Sequence, residues 1–238
     1  MASIPFFLNT WEEYYTGELN LPFIHGVSEG TVIACMAMAI TGFYGQEFWL
    51  QNVNVLGYIV RRNHLIVFLC FSGGVFFGLI SLINVFKTYR DKLQDAIENL
   101  LIFFSLISTL CIVIIYSEAD SVLLKDYPKV LIILYGFAFA KLVGHLQLAH
   151  ICDSKFMQYR KSLLTTFVCL ASVSLLNYNL GKTVINIDYL IVLFLIMHIV
   201  VWVHFAYYLT EEFCILLGIY RFSTAKRIQA NEVQNKNK

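Results

Sequence analysis

The chain has 238 residues and a net charge of +1; it is 58% hydrophobic and 14% charged, with mean hydropathy +0.68. A soluble domain is typically about 45–50% apolar and about 25% charged, so this composition excludes an ordinary soluble domain and describes an integral membrane protein. The near-zero net charge offers no basic field to a nucleic acid, so membrane lipids are the expected surroundings and nucleic acid is not an expected partner.

Residues 1–28 contain no Lys or Arg, so there is no basic n-region of a signal peptide, and helix insertion itself must target the chain. Thr10-Trp11-Glu12-Glu13-Tyr14-Tyr15-Thr16-Gly17 lies in this segment, followed by Leu21-Pro22. Glu29, in Val27-Ser28-Glu29-Gly30, stands where an apolar run begins at Thr31. A carboxylate at a membrane boundary costs roughly a few kcal/mol unless something uses it or pairs with it.

A span needs about 20 mostly apolar residues. Six stretches qualify: 30–50, 64–86, 97–117, 130–151, 163–180 and 189–210. The fifth is the weakest, because Asn177, Tyr178 and Asn179 close it early. Phe43, Tyr44, Phe48 and Trp49 at the end of the first read as an interfacial aromatic belt. The expected fold is therefore all-α, a polytopic membrane helix bundle of about six transmembrane helices. Residues 1–225 form a single bundle and 226–238 a polar, disordered tail. Lys87, Arg90, Lys92, Lys155, Arg160, Lys161, Arg221, Lys226, Arg227, Lys236 and Lys238 fall on one side. They outnumber Arg61, Arg62, Lys125, Lys129 and Lys182 on the other. The positive-inside rule then places both termini in the cytoplasm.

The cysteines at 35, 70, 111, 152, 169 and 214 form no Cys-x-x-Cys pair and read as small buried hydrophobes. In the second span Gly74 and Gly78 form a Gly-x-x-x-Gly, suited to close packing or to a dimer face. The fourth span carries Lys141 and His145, which at about 100° per residue fall within about 40° of each other on one face. An intramembrane lysine about ten residues from either span end is a functional-site candidate before it is a snorkelling one. In the sixth span His198 and His204 are six residues apart, too far around the helix for a metal pair, and read as satisfied bundle histidines. Asp91 and Asp95 read as part of a solvated loop.

Three segments together carry a resemblance. Trp11-Glu12-Glu13-Tyr14-Tyr15-Thr16-Gly17 with Gly26-Val27-Ser28-Glu29-Gly30 is the first. Gly136 to His145, running on to Leu148-Ala149-His150-Ile151-Cys152-Asp153, is the second, and Leu217-Gly218-Ile219-Tyr220-Arg221-Phe222 is the third. They resemble the eukaryotic choline/ethanolamine phosphotransferases of the CDP-alcohol phosphatidyltransferase family, closest to the plant-type aminoalcohol phosphotransferases. The resemblance implies transfer of phosphocholine or phosphoethanolamine from a CDP-alcohol to diacylglycerol, in the endoplasmic reticulum or Golgi. It also implies Mg²⁺ or Mn²⁺ as cofactor and a homo- or heterodimer as assembly. By the same resemblance Glu29 is the catalytic residue, placed beside the acceptor hydroxyl. Trp11, Tyr14, Lys141 and His145 are substrate-binding.

The family's metal and CDP motif, Asp-x₂-Asp-Gly-x₂-Ala-Arg-x₈-Gly-x₃-Asp-x₃-Asp, has no counterpart: the chain contains neither an Asp-Gly nor an Ala-Arg dipeptide. No metal ligands are assigned. The expectation is a C-terminal portion of such an enzyme, inactive alone, with Met1 an internal methionine. A non-catalytic membrane protein, either a pseudoenzyme or a structural subunit, stays open beside it, as does more weakly a transporter using Lys141 and His145.

Overall fold

The computed structural model describes residues 3–17, 28–55, 57–88, 93–117, 121–156 and 161–226. Among the described residues the chain is helical apart from two short hairpins and connecting turns, and its contacts divide it into two units. Helices α5 (Leu93–Ser117) and α7 (Lys129–Ile151) each contribute residues to both.

The first unit holds residues 1–104 and 142–158. Its opening helix, α1 (Ser3–Thr16), places Ile4, Phe7, Leu8, Trp11 and Tyr15 at intervals of three and four, which makes one apolar face. Pro5 sits in the first turn, where its missing N–H costs nothing. At about 21 Å, α1 is too short to cross a bilayer. It lies against α4 (Arg62–Thr88), with Phe7 stacked on Phe103 at 4.2 Å and Trp11 edge-on to Phe86 at 6.5 Å. Gly78 is the notch that admits α1: a Cβ there would stand 2.5 Å from Leu8 Cδ1. The Gly78 half of the Gly-x-x-x-Gly therefore serves packing inside the chain.

Helix α2 (Ser28–Tyr44) is shorter than the expected span 30–50. It stops because Gly45 takes φ +76°, a left-handed conformation that costs glycine little, and its N–H bonds Thr41 O at 2.9 Å. The chain then folds back through α3 (Glu47–Leu50) and a hairpin of β1 (Asn52–Val55) with β2 (Tyr58–Arg61). Trp49 Nε1 donates to Thr41 Oγ1 at 2.8 Å, and the Arg62 guanidinium lies 4.1 Å from the Phe48 ring centre. The aromatic residues thus cap the end of α2 instead of extending it.

The second unit holds residues 105–141 and 159–238. Its core is Val113, Leu124, Leu131, Leu134, Leu170, Ile187, Ile191 and Phe194. These residues come from α5, α6 (Val122–Asp126), α7, α8 (Lys161–Leu180) and α9 (Ile187–Leu217). Ser121 caps α6, accepting from Leu124 N at 3.0 Å while its hydroxyl bonds the Asp188 carboxylate. Asn186 caps α9 through Asp188 N at 2.9 Å. Asn177 does not end α8 early. Its amide is buried and bonds the following loop at Ile185 O and Val184 N, at 2.8 and 3.0 Å, so the helix runs on to Leu180.

Helices α4, α5, α7 and α9 are long and apolar enough to cross a membrane, and α2 and α8 contain shorter apolar stretches. The outer faces carry exposed Val67, Phe68, Phe71, Phe76, Leu193, Ile196 and Val200. Such contiguous apolar surface suits lipid and not water. The protein is an all-α polytopic membrane bundle. The cysteines are unpaired, as expected, but Cys35, Cys70, Cys111 and Cys152 are exposed, and only Cys214 is buried. A thiol is apolar enough for a lipid-facing position, so hydrophobic surroundings in the sequence did not mean burial.

The notch at Gly78 gives a direct test of α1 seating. Gly78→Leu should cost about 1–3 kcal/mol by overpacking against Leu8 and Ile4, whereas Gly78→Ala should cost less, since only the flexible tip of Leu8 must move. Thermal unfolding of the purified protein followed by tryptophan fluorescence would report the difference.

Candidate functional site

The face of α1 that meets α4 and α5 is polar as well as apolar. Glu12 is 1% exposed and its carboxylate accepts from Asn84 Nδ2 at 3.0 Å. Asn9 Oδ1 accepts from the Ser81 hydroxyl at 3.1 Å. Asn99 Nδ2 donates to the Tyr15 hydroxyl. Three helices with apolar faces thus share a set of paired amides, hydroxyls and one carboxylate. Burial of such groups is tolerable because they find partners. Burial also pushes the Tyr15 phenol well above its ordinary value, against the opposing pull of the Asn99 hydrogen bond.

Trp11 is fully buried between Tyr15, edge-on at 5.4 Å, and Phe86. Its Nε1 has no hydrogen-bond partner among the described residues. Tyr14 faces the other way: its hydroxyl donates to Ser154 O at 3.1 Å and accepts from Phe156 N at 3.0 Å. It thereby ties α1 to the segment after α7. Glu13 Oε1 lies 3.8 Å from His150 Nε2, an ion pair when the imidazole is protonated, and Lys155 meets Asp95 at 3.4 Å on the surface.

Glu29 is the second residue of α2, ten or so residues after this cluster, and its side chain lies outside the described residues. Asp91 also lies outside them, so the Asp-x-x-x-Asp spacing has no described geometry. Lys141 and His145 are both buried in α7, one turn apart. The division between the units falls after Lys141, so each belongs to its own unit. His198 is buried in α9, where its Nδ1–H donates to Phe194 O at 2.9 Å, while His204 is exposed against the Tyr208 ring. The two histidines are on different faces, as their spacing predicts.

Of the expected site residues, the structure brings Trp11 and Tyr14 to one helix beside a polar network that sequence reasoning missed. Its members Glu12, Tyr15, Asn84 and Asn99 carry one legible signal: a lone Asn inside an apolar helix needs a partner. Nothing marks which partner.

A divalent metal was tested against the residues present. Among the described residues there is no group of three or more His, Cys, Asp or Glu able to hold an ion. The donors among the described residues do not fit a Mg²⁺ or Mn²⁺ site, which asks for convergent carboxylate oxygens.

With this geometry in view, the comparisons with known proteins bear on the same segments. No family model matches the chain. Choline/ethanolaminephosphotransferase 2 of Arabidopsis thaliana is 26% identical over 242 residues, covering 95% of this chain and 62% of its own length. A CDP-alcohol phosphatidyltransferase class-I family protein of Dictyostelium discoideum is 26% identical over 94% of this chain and 57% of its own. Cholinephosphotransferase 1 of Saccharomyces cerevisiae is 27% identical over 63% of this chain and 42% of its own. The chain is similar to the choline/ethanolaminephosphotransferases. It spans about three fifths of the length of the Arabidopsis relatives it matches. The similarity covers 95% of this chain and so is not confined to its apolar helices.

The network makes two predictions. Glu12→Ala leaves Asn84 without its acceptor inside the bundle and should cost about 1–3 kcal/mol, seen as a lower unfolding temperature, with Glu12→Gln closer to the parent. Tyr15 gives a pH dependence. Its folded value is raised above the unfolded value of about 10, so its contribution is complete below that pH. It is lost as pH rises above about 10, because the unfolded chain ionises first. Tyr15→Phe should therefore flatten the alkaline limb of the stability curve, measured from pH 8 to 11.

Proposed function

We propose that this chain is the later, acceptor-side part of a CDP-alcohol phosphotransferase, in which phosphocholine or phosphoethanolamine passes from a CDP-alcohol to diacylglycerol. The observation that carries the reading is the similarity to choline/ethanolaminephosphotransferases over 95% of the chain. The endoplasmic reticulum or Golgi is the proposed location, and a homo- or heterodimer the proposed assembly.

In this reading Glu29 takes the proton of the acceptor's primary hydroxyl as that oxygen attacks the alcohol-bearing phosphorus of the CDP-alcohol, whose phosphoanhydride bond breaks to release CMP. Its place in the first turn of α2 is next to the positive end of the helix dipole, which favours the carboxylate. Trp11, fully buried, and Tyr14, bonded to the backbone after α7, act on substrate only by fixing the position of α1, not by lining the lipid approach. Lys141 and His145, polar groups buried in α7, contact the phosphate-bearing substrate. Among the described residues no set of donors converges to hold a metal ion. The chain alone accordingly leaves CDP-alcohol unconverted. That same misfit supports a second reading, a non-catalytic membrane protein that pairs with a complete enzyme.

Two assays test the proposal: the first its inactivity alone, the second the role of Glu29. Membranes containing the full chain, given CDP-choline or CDP-ethanolamine with diacylglycerol and Mg²⁺, should form no product above vector controls; robust product would refute inactivity alone. In a full-length Arabidopsis relative, Gln in place of the carboxylate aligned with Glu29 should abolish turnover while CDP-alcohol binding persists. Normal turnover there would remove Glu29 from the mechanism and favour the non-catalytic reading.

A further inference from the structure

Helix α9 has 31 residues, about 46 Å at 1.5 Å per residue, against a hydrocarbon core of about 30 Å. About 20 residues suffice to cross, so a helix entering at Ile187 leaves the core near Tyr207 and Tyr208, and Glu211 and Glu212 follow. The last turns of α9 therefore stand at the depth of lipid headgroups, with tyrosines where an interfacial belt belongs.

At that depth the chain turns at Gly218, and a hairpin of β3 (Ile219–Tyr220) with β4 (Ser223–Lys226) follows. Arg221 reaches back from it. Its guanidinium lies 3.7 Å from the Tyr207 ring centre, and Nη2 contacts Glu211 Oε2 at 2.8 Å and Tyr207 O at 3.2 Å. Its Nε–H is buried and meets no acceptor among the described residues. Beside these groups is a cavity of about 440 Å³, lined by Tyr207, Glu211, Tyr220, Arg221 and Phe222 among others.

The lining carries both signs of charge. Tyrosine ring faces, the Glu211 carboxylate and the carbonyl end of α9 all favour a cation. Arg221, with a donor that meets no acceptor among the described residues, favours an anion and suits phosphate geometry. A simple anion entering here would meet Glu211 and the helix carbonyls, and a simple cation would meet the guanidinium. A molecule carrying both charges a few bonds apart satisfies the two halves together. We propose that this cavity binds the headgroup of a zwitterionic phospholipid, with phosphate on Arg221 and ammonium against Tyr207, Tyr220 and Glu211. The site does not rest on the transferase reading, because a catalytically silent protein would bind the same lipid.

The test is native mass spectrometry of the purified full chain in detergent, titrated with phosphatidylcholine, phosphatidylglycerol or diacylglycerol. Phosphatidylcholine adducts should exceed the other two at least fivefold at equal lipid. Glu211→Gln and Arg221→Gln should each lower phosphatidylcholine retention at least fivefold, read on variants whose helicity by circular dichroism equals the parent's. Should neither variant fold, the lipid preference of the unmodified chain decides alone. Equal retention of phosphatidylcholine and phosphatidylglycerol, or retention unchanged in folded variants, would overturn the proposal. Glycerophosphocholine, the same headgroup without acyl chains, should bind at least tenfold more weakly; equal binding would reassign the cavity to a soluble zwitterion and overturn the lipid assignment.

Discussion

The hydrogen bond between Asn84 and the buried Glu12 carboxylate is the contact on which the first unit turns. A carboxylate with almost no exposure is unfavourable without partners, and α4 supplies one from an otherwise apolar face. Around it the Ser81–Asn9 and Asn99–Tyr15 pairs repeat the pattern. A helix with only apolar contacts to α4 has many rotations and slides of similar energy. The polar pairs select one of them, and Gly78 sets how closely the two backbones approach.

The same logic operates in the second unit with different residues. Asn177, Ser121 and Asn186 spend their polar atoms on loop backbone and helix ends, so the connections between α5 and α6 and between α8 and α9 are closed by side chains. In both units the apolar faces that remain are left for lipid, where they need no protein partner.

Much of this architecture was legible in the residues. The apolar runs place α4, α5, α7 and α8, and the start of α9, to within a few residues, because hydropathy over a 20-residue window is a strong local signal. The end of α2 was not legible, since Phe48, Trp49 and Leu50 continue the apolar run while Gly45 ends the helix. Helix α9 runs past its expected end because Glu211 and Glu212 stop a membrane span without stopping a helix. The resemblance named the right relatives on the Trp11–Gly17 and Gly136–Asp153 segments, and the comparisons bear out that family. It gave no view of Glu12, Asn84 and Asn99, whose pairing joins residues more than 70 positions apart. Tyr14 shows the limit of assigning a role from a motif: its hydroxyl is engaged twice with the backbone at Ser154 and Phe156.

The Asn177 clamp has a consequence for how the bundle is made. A single side chain within α8 satisfies backbone groups at Val184 and Ile185, so the turn from α8 to α9 carries its own hydrogen bonds. During insertion, two helices joined by such a turn can enter a bilayer as one unit without trailing bare peptide groups through the hydrocarbon. Biogenesis of the second unit would then depend on one amide buried near the membrane edge, at a residue that takes no part in chemistry.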